Sequence, residues 1–407
     1  MLSTATVPDG GSRLPSLTGL RFLAALSVFL FHTGLPVSPI PSQGGVTPFA
    51  DKDVAADYAF VLGHAGPLGV SFFFVLSGFV LTWSSRPGES ARAWLRRRVV
   101  KIYPNHVVIW AVALLLFARA AGGPGDWLAN LLLIHSFFPQ PSVIFSVNPP
   151  SWSLSSEMLF YLSFPFLIGP LRRIPVRRLW IWAAAMVAGT VAVQLVAQFV
   201  IPAGAQAPIN PMPDLQFWFG YFFPPNHMFE FVLGVLLARL VLAGKWPRIG
   251  IVPAGVLLLA GYTAALYMPV NYGLIVSTIA PIGVLIASVA DADARGRRTP
   301  FGGRVMVWLG EVSYAFYLCQ GVTLFYVRHL FADTLFPTGE AILVIIGLTA
   351  LNLLAAWLLH SCVEEPMMRR WSRARRPRRS AESTPAAATS VAVPHSAGET
   401  TPPAKGD

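Results

Sequence analysis

Leu17-Thr18-Gly19-Leu20-Arg21-Phe22-Leu23-Ala24-Ala25-Leu26-Ser27-Val28-Phe29-Leu30-Phe31-His32 is the first long apolar run of the chain. Arg21 and His32 are its only ionisable groups. A run of this kind predicts a helix that crosses a bilayer. In lipid a charged or titrating side chain is costly, and it marks function by default. The two residues lie close to three helical turns apart, so at about 100° per residue they share a face. They stand about 16 Å apart along that face. They cannot touch, but they can line one cavity, with one residue near each membrane surface.

The pattern recurs. The chain has 407 residues, of which 54% are hydrophobic and only 12% charged, with mean hydropathy +0.58. Soluble domains carry about 25% charge. Spans are expected at about 16–35, 66–83, 105–121, 154–170, 179–200, 227–243, 249–268, 272–290, 306–330 and 340–362. The fold class is therefore all-α, a polytopic membrane bundle of about ten helices. The first run is not expected to be a cleaved signal peptide, because further spans follow it.

Charge sets the orientation. With Arg13 in the cytosol and the spans alternating, the basic loops at 84–104, 171–178, 244–248 and 291–304 all fall inside. Both termini are then cytosolic, and the loop with Asp51, Asp53 and Asp57 lies outside. The short apolar stretch 127–138 is excluded as a span, because counting it would move Arg172–Arg178 outside. Residues 122–153 then form an outer segment. The net charge of +11 is explained by this bias rather than by nucleic-acid binding. Residues 1–14 are polar and expected to be flexible, and 15–371 form the membrane domain. Residues 372–407, rich in Arg, Pro, Ala, Ser and Thr, are expected to be a disordered cytosolic tail. Cys319 and Cys362 fall in apolar runs and read as packing residues, and no metal-ligand cluster is evident.

Three constellations carry possible chemistry. A neutral histidine in a partly apolar pocket can take a proton from a hydroxyl, which suits His32. The plainer alternative is a hydrogen bond to a neighbouring helix, with Arg21 reaching to the interface. The second constellation is Ser151-Trp152-Ser153-Leu154-Ser155-Ser156-Glu157, followed by Phe160-Tyr161. Ser151 or Ser153 as a helix cap, with Glu157 favoured by the helix dipole, is the plain reading. The topology adds more, since Glu157 is expected at the depth of His32. A carboxylate there can orient the imidazole. The third is the basic block Arg96, Arg97, Arg98 and Lys101. It serves as a positive-inside flank, and it is also able to clamp the phosphates of an anionic cosubstrate.

Together these stretches resemble the acyltransferase-3 family of integral membrane O-acyltransferases. The resemblance rests on Arg21-x10-His32, the run Ser71-Phe-Phe-Phe-Val-Leu-Ser-Gly-Phe79, and the Arg-Arg-Arg-x-x-Lys-Ile-Tyr-Pro block ending at Pro104. It also rests on the Ser151–Glu157 run, Leu309-Gly-Glu-Val-Ser-Tyr-Ala-Phe-Tyr-Leu318 and Glu365-Pro366, and it spans about residues 14–371. It implies a ten-helix fold in a bacterial cell membrane. It implies transfer of an acyl group from acyl-coenzyme A, a cosubstrate rather than a bound cofactor, to a hydroxyl of a sugar, glycolipid or secondary metabolite. His32 and Glu157 would be the catalytic pair. Arg21, Arg96, Arg97, Arg98 and Lys101, with Trp152, Ser153, Ser155 and Tyr161, would bind donor and substrate. One departure is visible: after Ser-Tyr-x-x-Tyr-Leu many members carry a histidine, where this chain has Cys319-Gln320. The Leu-Pro-Ser-Leu-Thr-Gly-Leu-Arg opening also resembles actinobacterial members, some of which acylate macrolides. The competing reading is a proton-coupled transporter or flippase, which would also use intramembrane Arg, His and Glu.

Overall fold

The structure is a computed structural model, and it describes residues 13–40, 44–85, 88, 90–205, 212–331 and 333–371. The expected tail at 372–407 and most of the expected flexible start, residues 1–12, lie outside the described residues. The described residues are mainly helical. Helix α1 (Pro15–Thr33) opens on a proline at its first turn, where the missing N–H costs nothing. Helix α2 (Lys52–Leu62) is capped by Asp51, whose carboxylate accepts from the N–H groups of Asp53 and Val54. It continues into α3 (Ala65–Ser84). The acidic loop between the first two expected spans thus holds a helix that the apolar periodicity alone does not announce.

Helix α4 (Ala91–Ala113) is capped by Ser90. Its first turns carry Arg92 to Lys101, so the basic block is helical rather than a loop ahead of the span. Pro104 is carried within it. The outer segment is broken into short pieces, of which α5 (Pro124–Leu131) is the longest. No spanning helix forms there, as expected. Leu133 and Val147, both at φ 58°, sit in a left-handed conformation in this segment. For a β-branched valine that is a strained geometry.

The remaining long helices are α6 (Trp152–Arg173), α7 (Leu179–Phe199), α8 (Met228–Leu242), α9 (Ile251–Tyr267) and α10 (Val276–Ala294). They are followed by α11 (Arg304–Gln320), α12 (Thr338–Leu359) and the terminal α13 (Glu365–Trp371). A helix stands at each of the ten expected positions. Among the described residues, eight helical stretches are long and apolar enough to cross a bilayer; α9 and α11 are not among them. The chain is a polytopic helical bundle.

Small residues set the closest crossings. A Cβ on Gly78 would run into the Phe231 carbonyl, and one on Gly234 into the Val75 carbonyl, so α3 and α8 meet backbone to backbone. Gly310 of α11 presses on the Thr18 carbonyl of α1 in the same way. Helices α1 and α11 run parallel: Phe22 and Phe29 both pack on Phe316, at 5.4 and 5.5 Å between ring centroids. At one end of the bundle Arg98 reaches Ser84, Arg172 reaches Ser85 at 2.7 Å, and Arg239 donates to the carbonyls of Leu171, Arg172 and Ile174. The opposite end is tied by Arg328, which is buried and donates to the carbonyls of Val46, Thr47, Phe331 and Thr334.

Candidate active site

Helices α1, α3, α6 and α11 enclose a cavity of about 50 Å³. Arg21 from α1 and Glu157 from α6 both line it, with Ser77, Ser153, Tyr314 and Tyr317 as the other polar groups and Phe73 and Phe74 as aromatic wall. The volume is enough for a few waters. It is far below the roughly 300–1,000 Å³ of a ligand pocket.

Glu157 stands five residues into α6, whose start is fixed by Pro149 and Pro150. One carboxylate oxygen accepts from Tyr161 Oη at 2.5 Å and from Ser77 Oγ at 3.4 Å. The expected neighbour of Glu157 was His32. The structure corrects this: the group that shares the cavity with Glu157 is Arg21. A depth read from position along a span ignores the reach of an arginine side chain, which carries its charge well beyond its own turn.

His32 sits near the end of α1 and is half-buried. Its Nδ1 lies 2.6 Å from Gln320 Oε1 on α11. Phe325 meets the ring edge-on with centroids 5.1 Å apart, and Phe31 lies against it at 5.2 Å. Among the described residues, His32 Nε2 makes no hydrogen bond. Arg21 and His32 are therefore separate stations on one helix, and the single shared cavity that their spacing suggests is not formed: Arg21 lines the cavity and His32 does not. The carboxylate belongs to the station of Arg21.

The basic block divides by helical face. Arg98 stacks on Trp94 with 5.5 Å from guanidinium carbon to ring centroid, and Trp94 packs on Tyr161 and Phe164. Lys101, one turn on, pairs with Glu364 at 3.7 Å. Arg96 is exposed and Arg97 half-buried. Glu364 is itself buried, and it accepts from Asn105 at 2.8 Å and lies 3.3 Å from His360. The sequence points to its neighbour Glu365, which instead makes an exposed pair with Arg369. Two adjacent glutamates look alike in a sequence, and only the turn geometry says which one faces inward.

The serines are not caps. Ser151 has the cap position of α6, but its hydroxyl donates to the Asn148 carbonyl at 2.6 Å. Ser153 is 2.9 Å from Tyr317 Oη, which ties α6 to α11. Ser155 lies 3.4 Å from His135 Nδ1, and Ser151 lies 3.4 Å from His135 Nε2. Trp152 is buried against Phe74, Tyr221, Phe222 and His227. Trp152 and Ser155 thus face packed protein rather than the cavity; Ser153 lines it, and Tyr161 borders it through Glu157. Burial pushes His135 down to about 3, with the nearby His106 adding to the effect against a backbone bond at Ala129. The sequence gives no sign of His135 or Glu364, and it marks Gln320 only as part of the Cys319-Gln320 departure. For Gln320 the one available signal was its strangeness, a polar amide in the middle of an apolar span.

Among the described residues no group of three or more His, Cys, Asp or Glu is arranged to hold a metal ion. Comparison with known proteins bears on the chemistry. The family model described as an acyltransferase domain matches residues 14–361. The chain is 39% identical over 383 residues to Acyltransferase MdmB of Streptomyces mycarofaciens, covering 91% of this chain and 95% of that protein. No solved structure matches the chain.

Proposed function

The chain belongs to the acyltransferase-3 family and is an acyltransferase of groups other than aminoacyl groups; from that premise we propose that it moves a short acyl group from cytosolic acyl-coenzyme A to an acceptor hydroxyl, with His32 as general base. The acceptor class is a sugar, a glycolipid or a secondary metabolite, and the setting is a bacterial cell membrane. The observation that carries the reading is the division of α1 into two polar stations, an imidazole whose Nε2 makes no hydrogen bond among the described residues at one and a cavity lined by Arg21 and Glu157 at the other.

The steps follow from those stations. Acyl-coenzyme A approaches from the basic end, its phosphates drawn by Arg98, Lys101 and Arg21. Its long pantetheine arm carries the thioester along α1 toward His32, a distance of about 16 Å. His32 Nε2 takes the proton of the acceptor hydroxyl as the oxygen attacks the thioester carbon. The tetrahedral intermediate collapses, the C–S bond breaks, and the imidazolium returns the proton to the departing thiolate. Among the residues expected to bind donor and substrate, the hydroxyls of Ser153, Ser155 and Tyr161 are candidates to donate to the oxyanion. Of these, Ser153 borders the cavity directly. A cavity of about 50 Å³ has to widen before substrate enters.

The test is transfer from radiolabelled acetyl-coenzyme A in membranes. Free coenzyme A appears with the wild-type chain. The His32→Ala variant loses about 10²- to 10⁴-fold of that release while eluting as a folded protein in detergent. Retained release in His32→Ala would show that the base lies elsewhere. A proton-coupled carrier would release no coenzyme A at all.

A further inference from the structure

We propose that Gln320 is the positioning residue of His32, a neutral amide that holds the imidazole in the tautomer with hydrogen on Nδ1 and so leaves Nε2 free to accept a proton. The proposal rests on the base role of His32 given above.

The geometry is direct. An imidazole Nδ1 facing a carbonyl oxygen at 2.6 Å has to be the donor, because an amide oxygen has no hydrogen to give. A neutral ring has one N–H, so Nε2 then carries the lone pair. The ring is gripped on two sides by Phe31 and Phe325. Its polar neighbour is the fully buried Gln320. None of these three groups titrates. They are the groups recorded against the ring among the described residues, so the tautomer is set by the amide alone.

Two features accompany the contact. Among the described residues the buried Gln320 Nε2 has no hydrogen-bond partner, so the amide's recorded polar contact is the one its oxygen makes with His32. Directly after Gln320 the helix widens into a π-turn over Gly321–Tyr326. Such turns cost regularity and concentrate at functional sites. This one brings Phe325 onto the His32 ring and sets Gly321 against Asn148, whose amide bonds the Leu318 carbonyl. The irregular turn, the amide and the aromatic clamp form one holder.

An amide also differs in kind from the carboxylate of a hydrolase triad. It orients the ring but offers no charge to the imidazolium. That suits a thioester, an activated acyl donor, better than it would suit an amide bond.

The test uses the full chain in detergent with ¹⁵N-labelled histidine, the His32 signals being assigned by their loss in His32→Gln. Expected in the wild type is one neutral tautomer with hydrogen on Nδ1. Gln320→Glu, which still accepts from Nδ1, keeps that tautomer. Gln320→Leu, which accepts nothing, gives a mixture of tautomers. In parallel, Gln320→Leu lowers kcat for coenzyme A release from acetyl-coenzyme A about 10- to 100-fold at unchanged KM, and Gln320→Glu restores part of it. A wild-type ring with hydrogen on Nε2, or an unchanged tautomer in Gln320→Leu, overturns the proposal. Should Gln320→Leu not fold, an unaltered wild-type assignment together with Gln320→Glu decides it. Activity surviving in His32→Ala would instead overturn the base role, whatever the tautomer.

Discussion

At the scale of the residue, the basic block shows how one motif splits into roles. Arg98 and Lys101 lie a turn apart on α4, near Tyr161 and Glu364, while Arg96 is exposed. Arg98→Ala should raise the KM for acyl-coenzyme A severalfold, and Arg96→Ala should change it much less; equal effects would point to a diffuse basic surface. His135 gives a second expectation. Its ordinary value of 6.5 falls to about 3 in the fold because burial opposes the charge. The unfolded segment therefore binds a proton at a pH where the folded one does not. Its contribution to stability is complete above about 6.5 and is lost steadily as pH falls toward 3. Hydrogen exchange in residues 122–153 should accelerate over that window, and His135→Asn should flatten the dependence. His32, Arg21 and Glu157 were all legible in the sequence, because an ionisable residue in an apolar run is conspicuous. Their pairing was not legible. Arg21 reaches into the cavity of Glu157, and His32 turns to an amide that no charge pattern reveals.

At the scale of the element, apolar runs located most long helices to within a few residues. They failed where a helix is not apolar. Lys52–Leu62 is amphipathic at most, and the first turns of α4 are cationic, so neither shows as a span. Glycines mattered more than their sequence context suggests. Gly310 lets α11 lie on the Thr18 carbonyl, and that contact sets the register by which Gln320 meets His32 further up the same pair. Gly310→Ala should therefore cost about 1–3 kcal/mol of stability, read as a lowered melting temperature in detergent. It should also reduce acyl transfer, although position 310 lies far from the imidazole. A variant that lost stability and kept full activity would show that the register survives the intrusion.

At the scale of the whole molecule, the charge map carries the orientation. The basic loop ends meet at one end of the bundle, and Arg328 ties the loops at the other. The expectation from that charge bias is that the first end is cytosolic. Single cysteines introduced at Arg177 and Lys52, in a Cys362→Ser background, should be labelled in intact cells only at position 52 by a reagent that cannot cross the membrane. Labelling of position 177 alone would invert the bundle. What no residue pattern foretold is the tie between ends distant in sequence, such as Ser16 with Asp293 at 2.5 Å or Lys101 with Glu364, since either partner alone reads as an ordinary polar or charged flank of a span.

The glycine crossings also divide the walls of the cavity into fixed and yielding ones. Helix α1 is locked to α11 at Gly310 and to α3 at Gly69, and α3 is locked to α8 at Gly78 and Gly234, each through backbone atoms that have no rotamers to change. The fourth wall, α6, meets its neighbours through side chains: Trp152, Ser153, Phe160, Tyr161 and Phe164. Its far end is pinned by Arg239. The cavity therefore behaves like a room with three masonry walls and one hinged panel. Glu157 is mounted on the panel, so any widening of the cavity that moves α6 carries the carboxylate with it.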